Sequence, residues 1–385
     1  MTSAASQLRR EVTVERTPRF YQVCGKFDLP TDATSVREWN VDLTLPDEWS
    51  VGVIVGPSMA GKTTIARELF GADSVVDAGY WPWPAGKCIA DGFPDGMGID
   101  EITGLLSAVG FSSPPDWKKP HGALSNGGKF RVDLARTLAE RPELAVVDEF
   151  GSLVHQQARQ VAAAAAAKAV RRRGGKLVAL CVHPDAVEYF EPDWIIDMIP
   201  GEIVRCQAVR GSVRRPPIQL EIARVNRKAW DLFRHHHYLD HAIHASSKCF
   251  VAFVDGQPAA FTAVLPFPHA VKPGWREHRT VCHPDYQGIG LGNRMSEYVA
   301  SLFRATGKPY MSTTSHPAMI KYRARSPVWA VTRKPGIVSG SAGPKSNQQT
   351  GLGRTLSTGR ITAGFQYVGP ARPEEARKFG VVKCD

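Results

Sequence analysis

The sequence predicts a mixed α/β fold in its first half and an α+β fold in its second. Three observations carry this expectation. An apolar run, Val51 to Val55, breaks into a glycine turn and then into helix-favouring residues, as VGVIVGPSMAGKTT. Much later, an apolar strand at His278 to Cys282 feeds a second glycine-rich turn, QGIGLG at Gln287 to Gly292, which opens another helix. The charge is also divided unevenly. Residues 1–217 hold 25 Lys and Arg against 27 Asp and Glu, and residues 218–385 hold 23 against 10, so net charges of −2 and +13 lie behind the overall +11.

At 385 residues the chain is long enough for two domains, each with its own core. The basic half is the one suited to a polyanion, although a solvated basic surface with a basic tail would give the same count. Seven cysteines are scattered, odd in number and without a C-x-x-C pair. That usage suits a reducing compartment and argues against a disulfide scaffold or a zinc ribbon. The start, MTSAASQLRREVTVER, has no apolar core segment of a signal peptide, and no run approaches a membrane span. A cytoplasmic protein without a membrane part is expected.

Residues 1–18 are polar and expected to be flexible. Tyr21 to Leu45 alternates around Pro30, as short strands would. An aromatic there, Tyr21 or Phe27, could stack on adenine or be an ordinary sheet residue. The turn after Val55 fits G-x-x-x-x-G-K-T, with Gly56, Gly61, Lys62 and Thr63. The glycines let the backbone curl so that N–H groups point at a polyanion, Lys62 supplies a point charge, and the Thr63 hydroxyl can ligate Mg²⁺. The candidate nucleotide-binding set is Gly56, Pro57, Ser58, Gly61, Lys62, Thr63 and Thr64.

Ile65 to Phe70 continues a helix that Gly71 can cap, and Ser74 to Ala78 reads as a strand. Trp81-Pro-Trp83-Pro is an aromatic loop. Asp100 to Val109 has helical spacing, and a Pro-rich bend follows at Ser113 to Pro120. LSNGGKFRVDLARTL spans Leu124 to Leu138. The strand Leu144 to Val147 ends in Asp148-Glu149, and another, Lys176 to Val182, ends at His183.

This succession resembles the ATP-binding-cassette (ABC) ATPases, a P-loop NTPase family. The P-loop matches their Walker A motif, Leu124 to Gly128 their LSGGQ signature, and Leu144 to Glu149 Walker B, with His183 at the switch-histidine position. The resemblance implies ATP as ligand, Mg²⁺ held by Thr63 and Asp148, Glu149 polarising the attacking water and His183 reaching the γ-phosphate. Such parts position and stabilise charge, which is what phosphoryl transfer needs. It further implies that Ser125 and Gly127 contact the nucleotide of an opposite subunit, in an ATP-sandwiched homodimer. The chain departs from the family in three places. Gly128 replaces the signature's last Gln, no Gln lies between Lys62 and Leu124, and Phe150 to His155 replaces the usual segment after Walker B. The missing Gln loop argues against a transport role.

The helix containing Ala162 to Ala169 ends in Arg171-Arg172-Arg173, where cations complement its dipole; a nucleic-acid patch is the other reading. Residues 205–217 read as a linker. Beyond it, Gln219 to Val225 resembles a strand and Lys228 to Leu239 has helical spacing. Lys248 to Val254 and Pro258 to Leu265 form a hairpin around Asp255-Gly256. His278 to Cys282 is a strand, Asn293 to Arg304 a helix, Pro309 to Thr313 a strand and Pro317 to Arg325 a helix.

The HPDYQGIGLG wording between strand and helix resembles motif A of the GNAT acyltransferases, over about residues 218–370. It implies acetyl-CoA bound by Gln287, Gly288, Ile289, Gly290 and Gly292 through an anion nest of successive amides. Ser315 to Tyr322 keeps the Ala and Tyr of that family's N-x-x-A-x-x-x-Y pattern, with Ser for Asn, so Tyr322 is the candidate general acid. Glu277, His278 and His283 are candidate bases. His237 and His241 could share a helix face and a metal, but a substrate-facing or packing role is preferred. Residues 336–358 are expected to be a mobile insertion, and Arg360 to Val368 a closing strand.

The expected organisation is a flexible stretch 1–18, an ATP-binding domain 19–204, a linker 205–217 and a GNAT domain 218–385. The expected function is ATP-dependent acyl transfer from acetyl-CoA to a nucleic acid. Two alternatives are an acyltransferase for a protein or small-molecule amine with the ATPase as dimer switch, and a non-catalytic ATP-gated nucleic-acid binder.

Overall fold

The computed structural model describes residues 6–77, 79–199, 202–237, 241–268, 273–337 and 361–382. The chain forms two compact units that interleave along the sequence. One comprises Met1–Tyr80, Arg141–Ser152 and Val170–Arg215; the other comprises Trp81–Glu140, Leu153–Ala169 and Pro216–Asp385.

The first unit is built on an eight-stranded mixed sheet. Its strands are β1 (Ser6–Thr13), β2 (Thr34–Asp42), β3 (Val51–Val55), β4 (Val75–Val76), β5 (Leu144–Val147), β6 (Lys176–Cys181), β7 (Trp194–Asp197) and β8 (Val204–Ala208), in the order β1-β2-β8-β7-β3-β6-β5-β4. Strand β3 lies between β6 and β7, parallel to both, and all its residues are buried. A central parallel strand has both faces covered, so its sequence is continuously apolar rather than alternating. The core gathers Ile54, Ile65, Val178, Trp194 and Ile196. Trp194 occupies the space a Cβ on Gly52 would need, 2.0 Å away, so a glycine is required within the strand.

Three expectations for this unit are corrected. Ser6–Thr13, read as flexible, pairs antiparallel with β2 over its whole length. The Tyr21–Leu45 alternation conceals a helix, Pro18–Phe27, before β2. Thr17 caps it, accepting a hydrogen bond from the Phe20 N–H at 3.3 Å, and Pro18 takes the first helical position. Tyr21 and Phe27 are exposed on that helix. Arg205 to Ala208, assigned to the linker, complete strand β8.

The second unit holds a seven-stranded sheet. Its strands are β9 (Glu221–Val225), β10 (Lys248–Val254), β11 (Gln257–Phe267), β12 (Gly274–Cys282), β13 (Tyr310–Thr314), β14 (Trp329–Ile337) and β15 (Ile361–Tyr367), in the order β14-β15-β13-β12-β11-β10-β9. The Asp255-Gly256 hairpin forms as expected, with both residues at positive φ. Neighbours are antiparallel except β12 and β13, which are parallel and pair at Trp275–Tyr310 and Arg276–Met311. Beyond that point the two share no register among the described residues. The helix Leu291–Arg304 covers the sheet with Met295, Val299 and Phe303. The long helix Gln156–Arg173 contributes Val161 to the same core. The helix expected over Lys228–Leu239 appears instead as two 3₁₀ turns, Arg227–Leu232 and Arg234–His236, consistent with the weak helix preference of consecutive histidines. Most of the expected insertion 336–358 lies outside the described residues; Gly336 and Ile337 end β14. Among the described residues no helix is long and apolar enough to cross a membrane.

Candidate functional site

Strand β3 delivers the P-loop at its carboxyl end, and the helix Lys62–Phe70 starts from Gly61 in the left-handed conformation. A Cβ at Gly61 would also lie 2.5 Å from the Trp39 ring, and one at Gly56 2.6 Å from Met198. Both glycines are therefore required by packing. Lys62 is buried, and its Nζ donates to the carbonyls of Gly56 and Pro57 at 2.9 and 2.8 Å. Burial pushes its pKa below the usual lysine value, while Asp148, Cys181 and Glu149 oppose that shift. An ammonium with a depressed pKa gains from an incoming anion. Pro57 and Ser58 are exposed on the turn, and Met59 has a φ of 64°.

Asp148 follows strand β5. Thr63 Oγ1 donates to its Oδ2 at 2.6 Å, and its Oδ1 accepts the Glu149 N–H at 2.8 Å. Hydroxyl and carboxylate thus already converge, as two ligands of one hard cation must. Glu149 is exposed and has a φ of 47°, a costly conformation for a non-glycine residue of the kind that gathers at functional sites. These groups border a cavity of about 460 Å³. His183 follows β6 and is exposed; Thr64 lines the cavity.

The sequence reading missed four residues here. Arg10 Nη1 donates to Thr64 Oγ1 at 2.9 Å, Arg37 Nη1 donates to the Met59 carbonyl, and Trp39 Nε1 donates to the Ala60 carbonyl at 2.9 Å. All three line the cavity. Asp77, just after β4, has its pKa raised by burial and by Asp148. The alternation Leu8-Arg10-Val12 was the available signal, and the polar character of the segment hid it.

In the second unit, the signature segment forms the helix Asn126–Glu140. Ser125 Oγ accepts the Gly128 N–H at 3.2 Å, a side-chain cap at the helix start. Ser125 is exposed and Gly127 half-buried at this end of the helix.

The motif A loop follows β12. Gly288 and Gly290 have φ of 92° and 93°, and Gly290 opens the helix Leu291–Arg304. A Cβ on Gly290 would meet nothing within 4 Å, so open space faces this turn, whereas one on Gly288 would lie 2.8 Å from the Ala165 methyl and 2.9 Å from Gly110. Gln287 is buried and fully engaged. Its Nε2 donates to the Cys282 carbonyl at 2.9 Å, and its Oε1 accepts the Ser112 N–H and hydroxyl, each at 2.8 Å. Arg131 of the signature helix, 3 % exposed, donates to the carbonyls of Pro284 and Gly110. The Gln287 side chain thus braces the loop rather than facing a ligand. Ile289 packs against the sheet core, and Gly292 lies in the first turn of the helix.

Tyr322 sits on the helix Pro317–Arg323. Burial, then a hydrogen bond with Glu297 of the helix that the glycine loop opens, raises its pKa. The phenol is therefore protonated at neutral pH. Glu277 does not serve as a base. Burial pushes its carboxyl up, but the Arg323 ion pair at 2.9 Å and the hydroxyls of Ser312, Thr280 and Ser296 outweigh that and hold it ionised. His278 is the extra residue of a β-bulge: Ala263 faces Arg279 and Val264 faces Glu277. Burial, then Arg279 and Arg276, lower its pKa to about 3. Burial also lowers that of His283. His235 and His236 stack edge-on with His241 and His283, at 5.7 and 5.2 Å between ring centres. His237 and His241 share no helix, and among the described residues no group of three His, Cys, Asp or Glu is placed to hold a metal.

Residues 217–322 match the family model for the Acetyltransferase (GNAT) family. The chain is also similar to the aliphatic sulfonates import ATP-binding protein SsuB 2 of Frankia alni, with 35% identity over 131 residues, 29% of this chain and 52% of that protein. A second relative is the energy-dependent translational throttle protein EttA of Mycobacterium tuberculosis, 28% identical over 177 residues, 39% of this chain and 31% of that protein. The chain spans about half the length, or less, of these curated relatives. Among solved structures, the dimeric post-hydrolysis ATP-binding cassette MJ0796 with ADP and Pi shares 16% identity at a TM-score of 0.35, covering 45% of this chain and 90% of that one. One polypeptide thus joins a region similar to these ATP-binding proteins to residues 217–322, which match the GNAT family model.

Proposed function

We propose that this protein binds and hydrolyses ATP with Mg²⁺ and transfers an acetyl group from acetyl-CoA to an amine of a nucleic acid. The observation that carries the reading is the presence of two glycine turns in one polypeptide, at Gly56–Thr64 and Gln287–Gly292, each opening a helix from a left-handed glycine. The ATPase part is assigned to residues 19–204, with 205–217 joining it to an acyltransferase part at 218–385.

In the ATPase part, Lys62 and the P-loop amides hold the phosphates, Thr63 and Asp148 hold Mg²⁺, and Glu149 and His183 orient water and γ-phosphate. Mg²⁺ would supply charge neutralisation at the phosphates. Ser125 and Gly127 would complete the site of a second copy in a homodimer. In the transferase part, Gly288, Ile289, Gly290 and Gly292 offer amides to the coenzyme pyrophosphate. The acceptor amine would attack the thioester carbonyl and release a proton to water as the C–S bond breaks, and Tyr322 would give its proton to the departing thiolate and regain one from water. Its raised pKa keeps the phenol protonated at neutral pH.

The nucleic-acid acceptor is supported by the +13 charge of residues 218–385. Extruding a base from its stack costs a few kcal/mol, and ATP turnover is a source for that work. The test is incubation of the protein with ATP, labelled acetyl-CoA and RNA or DNA. Label is expected in the polymer, in an ATP-dependent amount. Label found instead on protein or small amines, without need of ATP, would move the acceptor to those amines.

A further inference from the structure

We infer that Arg10 and Arg37 form a paired cationic wall of the nucleotide site and bind the phosphates of a nucleoside triphosphate together with Lys62. The inference rests on the nucleotide reading above and adds residues that the P-loop pattern does not contain. Strands β1 and β2 pair antiparallel, and the register sets Arg10 directly across from Arg37. Directly opposed residues share a face of the ribbon. Val12, Ser35 and Trp39 belong to that face, and with Arg10 and Arg37 they line the cavity over Lys62.

Two like charges placed directly opposite destabilise a ribbon unless something neutralises them. The other face of the same ribbon shows the usual remedy. Arg9 pairs with Glu38 across the strands at 3.7 Å and with Glu11 at 3.5 Å. On the cavity face, among the described residues, neither Arg10 nor Arg37 has a carboxylate partner. Their guanidinium groups rest on neutral acceptors of the P-loop segment, the Thr64 hydroxyl and the Met59 carbonyl. Exchanging a neutral acceptor for a phosphate oxygen adds charge attraction to such a bond, and the planar guanidinium matches that group bidentately. Cation density of this kind, at the mouth of a glycine turn, fits a polyanionic ligand and leaves an uncharged one unexplained.

The experiment titrates the full chain with AMP-PNP and Mg²⁺, and separately with ADP, by calorimetry at two salt concentrations. The parent protein is measured first. The double variant Arg10→Gln, Arg37→Gln is expected to bind AMP-PNP about tenfold or more weakly, to lose less for ADP, and to show a flatter salt dependence. The variant Arg10→Lys, Arg37→Lys is expected to stay within a few-fold of the parent with its salt dependence intact. AMP-PNP affinity within twofold of the parent, in a glutamine variant that melts at the parent's temperature, would overturn the inference. If the double glutamine variant does not fold, the single variants decide: AMP-PNP binding weakened several-fold in folded Arg10→Gln and Arg37→Gln sustains it, and binding within twofold of the parent in both overturns it. A parent that binds no nucleotide defeats the ATPase reading itself, a failure visible before any variant is made.

Discussion

The turn at Gly61 is roofed by Trp39, whereas the turn at Gly290 faces open space. The contrast extends to charge. Around the P-loop, cationic side chains line the cavity itself: Lys62, Arg10 and Arg37. Behind the second loop lies Arg131, which is buried and turns Nη1 to two backbone carbonyls. Gly110, Ala165 and Ser112 close in behind that loop. On the proposed function, one cradle would attract phosphate with side-chain cations, and the other with amides whose geometry is fixed by packing. A triphosphate with its metal is the more highly charged ligand, and a coenzyme pyrophosphate flanked by nucleoside and pantetheine depends more on shape.

The largest effect that sharpens this contrast is expected from Lys62→Ala. Removing the buried ammonium should weaken ATP binding about a hundredfold or more, as the loss of a preorganised charge does, and leave acetyl-CoA binding within about twofold. Parallel calorimetric titrations with the two compounds check it, and an equal loss of both would break the comparison. Gly290→Glu should act in reverse. It places a carboxylate in the open space before the amides and costs about 1–3 kcal/mol of backbone strain, so acetyl-CoA binding should fall about tenfold or more while ATP binding persists.

Arg131→Met should come next. It leaves the Pro284 carbonyl without its donor, at a cost of about 1–3 kcal/mol, and slackens the loop from behind. A lowered melting temperature with a weaker acetyl-CoA affinity is expected. An unchanged affinity would show that the brace is irrelevant to the ligand. The smallest effect concerns pH. His278 is held neutral in the fold, down to about 3, below the ordinary histidine value. A base whose pKa is depressed on folding withdraws stability as pH falls through the unfolded value, near 6.5, toward the folded one. Acidification from pH 7 to 5 should therefore lower the melting temperature, and His278→Gln should flatten part of that slope.

The glycine turns were legible because few residue types tolerate their backbone. Gly56, Gly61, Gly288 and Gly290 all take positive φ, and they carry the resemblance to two families. Long apolar strands such as β3 and β6 were legible for a related reason, since burial on both faces leaves a continuous apolar run. What escaped was decided at a distance. In SQLRREVT the alternation Leu8-Arg10-Val12 is masked by polar neighbours, and the strand is fixed only by residues 34–41 lying beside it. Gln287 fitted a ligand pattern, yet Ser112, far away in sequence, claims its oxygen. Glu277 passed as a base until Arg323, on a different element, was placed against it. In the helix at Pro18 the signal was present as Thr-Pro, and the alternation around it drew the reading elsewhere.

Val161 lies in the helix between the Walker B strand and β6, yet it is counted in the hydrophobic cluster beneath the C-terminal sheet, with Phe250, Met295 and Phe303. Excision of the C-terminal portion at Pro216 would thus remove a plug from its interior and uncover the rear of the Gly288–Gly290 turn. A fragment made that way should come out of cells sparingly and clump on storage, and it would regain solubility on co-expression with residues 81–169.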